Sequence, residues 1–275
     1  MESPEKHFKN ETLNKEVEDV AESEMGIQSP LSEDELLSHK YISDIGERAE
    51  THAINVYNLV KEKLSSTVGG NFQEVPKLNL VEGEVAKLSL ENEVPEIILG
   101  KDEFIRDIAE TLGEEFGHFL RSKLTNRLSE GGGEYLTDEF FGFLSRRLVF
   151  EKLNQIQKQL LFPGGVPSLE ATYEGESKGD IVKKLKAVGK IKRELDKEYK
   201  LAKERGDTDK IKEISRRVED EEMKNWFRTI THYRGYEFAS QVDLSRITDW
   251  KKLFSMPDKE VRIRFFTPNP DYSGL

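Results

Sequence analysis

The chain has 275 residues, with 36% hydrophobic and 35% charged side chains and no cysteine. That excludes disulfides and cysteine-ligated zinc, and it leaves enough residues for one large domain or two small ones. The net charge of -11 argues against a general nucleic-acid binder, which needs a basic face. No apolar run approaches the roughly 18 residues of a membrane span, and the N-terminus lacks a signal-peptide core, so the expected compartment is the cytoplasm. Heavy use of Glu and Lys is the bias of a hot-growing organism.

Residues 1 to 38 hold three lysines and eleven acidic side chains, so -8 of the net charge lies there and the remainder is near balance. Residues 1 to about 30 have few apolar positions and no stable period, which reads as a disordered, solvating acidic tail. From Leu31 the pattern changes. Ser32 with Glu35 three residues on is a capping box, and Leu36, Ile45, Ala49, Val56, Val60 and Leu64 recur at helical spacing until the glycines at 69 and 70. Residues 75 to 100 hold short β-branched or alternating runs broken by Gly83, Asn92 and Pro95. They predict two or three strands, with Glu96–Leu99 the most buried.

A helix is expected next, from about Asp102 to Leu128, and a second follows the glycine-rich break at 131 to 133 and runs to the Pro-Gly loop at 163 to 167. Beyond that loop, Ile181, Leu185, Val188, Leu195, Tyr199 and Ala202 sit near heptad spacing. A turn at 204 to 209 and the return of Ile211, Ile214 and Val218 make a helical hairpin reaching about Ser240. Alternation in "EVRIRFF" (260 to 266) predicts one final strand. The whole is α+β and predominantly helical. Its expected divisions are a tail (1–30), an α+β domain (31–162) and a helical extension with a C-terminal strand (163–275).

The helix over "ETLGEEFGHFLR" (110 to 121) carries the chemistry. At about 100° per residue, Ile105, Ile108, Leu112, Phe116, Phe119 and Leu120 define one apolar arc. Glu114 and His118 fall one turn apart on a polar flank, while Glu115 falls at the edge of the apolar arc, where a carboxylate needs a proton, a partner or a metal. Two ligands at i and i+4 grip one metal side by side, and the glutamate after the first can take the proton of an activated water.

"IAETLGEEFGHFL" followed by "GEYLTDEFFGFL" resembles the minimal gluzincin metallopeptidases, in which an H-E-x-x-H helix precedes a second helix bearing a glutamate ligand. The similarity covers about residues 35 to 160. It implies Glu115 as general base, His118 as second metal ligand and Glu134 as the glutamate ligand, with Glu139 in reserve and Asp138 as an outer support. It departs at Glu114, which stands where the family has its first histidine. A Glu114, His118, Glu134 site would admit zinc but favour manganese or iron, or Glu114 would pair with Arg121 or another cation and no metal would bind.

Other readings are weaker. A ferritin-like di-metal centre needs a second Glu-x-x-His, and Glu115-x-x-His118 has none to match it. His232 with Tyr233, Arg234 and Tyr236 could line a substrate cleft, although such a group more often packs in the core or at an edge. The resulting expectation is a divergent or catalytically silent metallopeptidase-like protein acting on protein or peptide partners. The alternative is a non-enzymatic interaction protein that works through the hairpin.

Overall fold

The computed structural model describes residues 29–69, 75–90, 94–126, 135–165, 178–218 and 221–266. The fold is α+β and predominantly helical, with one small sheet. The expected acidic tail lies almost wholly outside the described residues. None of the described helices is long and apolar enough to cross a membrane.

Two compact units divide the chain. The first comprises Met1–Gly131, Phe141–Pro167 and Leu244–Ser255, and the second Gly132–Phe140, Ser168–Asp243 and Met256–Leu275.

The first unit opens with α1 (Glu33–Leu36), capped as expected: Ser32 Oγ accepts from the Glu35 amide, and Glu35 accepts from the Ser32 amide in return. Arg48 closes on Glu35 at 2.6 Å. The single helix expected over 36 to 64 is instead three pieces, α1, α2 (Ile42–Ile45) and α3 (Glu47–Val68). The breaks have local causes. The Tyr41 amide bonds Asp44 Oδ2 to start a new helix, and Gly46 takes φ 71°, which an L side chain resists. Gly69, at φ 73°, ends α3 in the left-handed cap that the sequence announced.

Three strands follow: β1 (Lys77–Val81), β2 (Lys87–Ser89) and β3 (Glu96–Gly100). β3 is central, parallel to β1 and antiparallel to β2, with Ile97 opposite both Leu78 and Leu88. Ile97 and Leu99 are fully buried, as expected of the most apolar strand. A 3-10 turn (Ile105–Asp107) leads into α4 (Ile108–Leu124), which packs against α3 and the sheet through Phe116, Phe119 and Leu120.

The second long helix of the sequence is two: α5 (Tyr135–Lys152) and α6 (Gln155–Leu161). Asn154 explains the break, because its side chain and that of Gln157 exchange hydrogen bonds with each other's amides in a capping box. α10 (Trp250–Phe254) packs against α3 and α4. There Arg121, fully buried, donates to the Phe254 carbonyl at 2.5 Å and stacks over Phe141 at 4.4 Å.

The second unit holds α7 (Lys178–Arg205), α8 (Thr208–Val218) and α9 (Glu221–Ser240). Gly206, at φ 68°, makes the turn between α7 and α8, and Leu195, Ala202, Ile211 and Ile214 form the seam of the expected hairpin. The expected C-terminal strand is a helix, α11 (Asp258–Phe265). Pro257 precedes it and Asp258 and Glu260 occupy its first turn, both helix-start signals. Helical spacing puts Val261 and Phe265 one turn apart, with Val261 buried and Phe265 against Phe140 (5.3 Å).

Candidate metal centre

α4 is buried on two sides, and the second side is made of glycines and charges. Gly113 and Gly117, at i and i+4, face α5. A Cβ at Gly113 would stand 3.4 Å from the Arg146 Cα, and one at Gly117 would collide with the Ser145 side chain. Gly142 returns the relation from α5, since a Cβ there would lie 2.8 Å from His118 Cε1 and 2.9 Å from Glu114 Cγ. Real side chains do not approach so closely. The glycines therefore bring the two backbones together, and the side chains flanking them meet across the gap.

Those flanking side chains are polar. Glu110, Glu114, His118 and Arg121 share one face of α4 with the glycines, and Glu110 and Arg121 are buried. Arg146 of α5, itself buried, forks between Glu110 Oε2 and Glu114 Oε2, the latter at 3.1 Å. The other oxygen of Glu114 lies 4.0 Å from His118 Nε2. Arg146 also sits over the ring of Phe143 at 5.1 Å.

One turn before Gly142 on the same uninterrupted helix stands Glu139, only 4% exposed. Glu114, His118 and Glu139 each offer one ligand atom, and these atoms lie within 4.8 Å of one another. Glu139 Oε2 also meets His232 Nδ1 of α9 at 2.6 Å. Gly235 lets α9 come that near, since a Cβ there would lie 2.9 Å from the Glu139 backbone.

The expected site residues divide accordingly. Glu114 and His118 come together as their spacing implied. Glu134 lies outside the described residues, and Glu139, the reserve candidate, joins the cluster. The alternative pairing of Glu114 with Arg121 or another cation is met by Arg146, while Arg121 donates to the Phe254 carbonyl and sits over Phe141. Glu115 is partly buried beside Glu103. Burial pushes the Glu103 carboxyl above its ordinary range, against the hydrogen bond that Thr111 donates, and the negative charge of Glu115 adds to the rise.

The sequence pattern placed Glu114 on a polar flank, with one buried face allowed to α4. The glycines at 113 and 117 were the signal for a second. Arg146 and Glu110 were missed with it. Tyr233 and Tyr236 pack the core, one of the places expected for their group, and His232 holds Glu139, a contact the sequence did not suggest. Comparison of the chain with family models, curated proteins and solved structures found no match.

Proposed function

We propose a metallopeptidase-like protein with a single divalent-metal site made of Glu114, His118 and Glu139, and with Glu115, the residue after Glu114 along α4, as the base. The observation that carries this reading is the convergence of the three ligand atoms within 4.8 Å, two of them one helical turn apart. The donor set fits a cation. Two carboxylates and an imidazole suit manganese or iron and accept zinc.

The surroundings fit as well. Metal-ligating groups are usually held by outer hydrogen bonds that fix their orientation. Glu114 is held through Oε2 by Arg146, and Glu139 through Oε2 by His232. A bound cation would supply Lewis acidity and make water a nucleophile near neutral pH. The chain's own part is to orient the donors and to accept a proton at the Glu115 carboxylate. The substrate class is the peptide bond.

A second reading rests on Arg146. Its guanidinium already gives Glu110 and Glu114 the positive charge that a metal would give, which suits a catalytically silent scaffold and a non-enzymatic interaction protein. Metal analysis separates the two. Protein purified without chelator, measured by elemental mass spectrometry, should carry one manganese, iron or zinc per chain and lose it in His118→Ala. A metal-free parent would overturn the metal site and favour the second reading. In a metal-loaded parent, Glu115→Gln should abolish peptide hydrolysis with the metal retained, and undiminished activity would remove Glu115 from its role.

A further inference from the structure

The acidic total of the chain conceals a strongly basic element. The segment from Lys178 to Val218, which holds α7, α8 and the turn between them, carries fifteen basic against eight acidic side chains, a local balance of +7 within a chain of -11. The cations of α7 are also ordered. Lys183, Lys186, Lys190, Arg193, Lys197 and Lys200 follow one another at intervals of three and four residues, and all six are exposed. At about 100° per residue they fall within an arc of about 100°, and at 1.5 Å per residue they form a straight stripe about 25 Å long.

Three observations define what this stripe fits. The apolar side of α7 is used: Leu195 and Ala202 are buried against Ile211 and Ile214 of α8. Among the described side chains of α7, only Ile191 and Leu201 are exposed large aliphatics, ten residues apart, short of the continuous apolar face that an amphipathic helix needs at a membrane surface. Glu198, an acid of α7 off the stripe, is drawn to Lys210 (3.6 Å) and Arg217 (3.5 Å) of α8. Finally, Tyr199, the one aromatic residue of α7, lies about 100° or more from the stripe, so α7 itself adds no stacking platform to it. Proteins that hold single strands combine cations with such platforms. A straight row of cations alone matches a regular, rigid polyanion.

We propose that the exposed face of α7 bearing Lys183, Lys186, Lys190, Arg193, Lys197 and Lys200 docks on the phosphate backbone of duplex nucleic acid without reading its sequence. Binding is electrostatic. With six contacts its logarithmic salt slope is about -5, and affinity falls steeply between about 50 mM and about 200 mM salt.

Fluorescence anisotropy of the full chain with a labelled duplex of about 20 base pairs, longer than the stripe at about 3.4 Å per pair, tests it. The parent should bind with that salt dependence and equally to unrelated sequences. The triple variant Lys186→Glu, Lys190→Glu, Arg193→Glu should bind at least about a hundredfold more weakly, losing three contacts and gaining three repulsions. Lys251→Glu with Lys252→Glu, on α10, should bind as the parent does. Circular dichroism confirms that the variants keep their helices. The proposal is overturned if the parent fails to bind at about 50 mM salt, where electrostatic contacts are strong, or if the triple variant binds as well as the parent. Preference for a single strand, or for phosphatidylserine vesicles over the duplex, would overturn it too.

Discussion

Arg146 Nη1 holds Glu114 Oε2 at 3.1 Å while the other oxygen of that carboxylate stands 4.0 Å from His118 Nε2. One glutamate thus faces a fixed internal cation on one side and a candidate ligand on the other. The arrangement leaves Glu114 oriented whether or not a metal is present, and it makes Arg146 a stability element. Buried carboxylates left without a cation are costly.

Replacing Arg146 by Met should therefore destabilise the fold by about 3–5 kcal/mol, because Glu110 and Glu114 lose their shared partner. Adding Glu110→Gln to that variant should restore part of the loss. Urea unfolding at neutral pH measures both, and equal stability of Arg146→Met and the parent would contradict the fork.

The close approach of α4 and α5 depends on glycine. Gly117→Ala places a methyl group against Ser145 and should cost about 1–3 kcal/mol by overpacking. Gly142→Ala presses on His118 and Glu114 instead, so it should also weaken metal binding. Titration with manganese, followed by calorimetry, separates the second effect from the first.

Metal should stabilise the protein by mass action. At a concentration about a hundredfold above Kd the gain is about 2.7 kcal/mol, visible as a rise in Tm. His118→Ala and Glu139→Gln should lose the rise, whereas Glu115→Gln should keep it. A rise preserved in His118→Ala would move the cation elsewhere.

Stability should also depend on pH through His52. This residue is 1% exposed on α3, its Nδ1 is 3.0 Å from Ser29 Oγ, and burial lowers its pKa to about 4 from 6.5. The native state thus keeps it neutral where the unfolded chain would protonate it. The unfolded state binds more protons between these values, so stability is lost as pH falls from about 6.5 to about 4, by roughly 3 kcal/mol. His52→Gln should flatten this part of the profile relative to the parent in urea unfolding at several pH values.

Near neighbours settled much of what the sequence revealed. The Ser32–Glu35 box, the stop at Gly69, the apolar β3, the Gly206 hairpin turn and the one-turn spacing of Glu114 and His118 depend on groups within a few residues of each other, so spacing suffices to read them. Local rules misread "EVRIRFF" because its alternation also satisfies a helix once Pro257 and two acids begin it, and contact of Phe265 with Phe140 rewards that choice. The tertiary structure alone paired Glu114 with Arg146, set Glu139 in the cluster and joined it to His232. Those partners are separated by tens of residues, and what selects them is where glycine permits two helices to touch, a property of the packed pair that neither helix carries by itself.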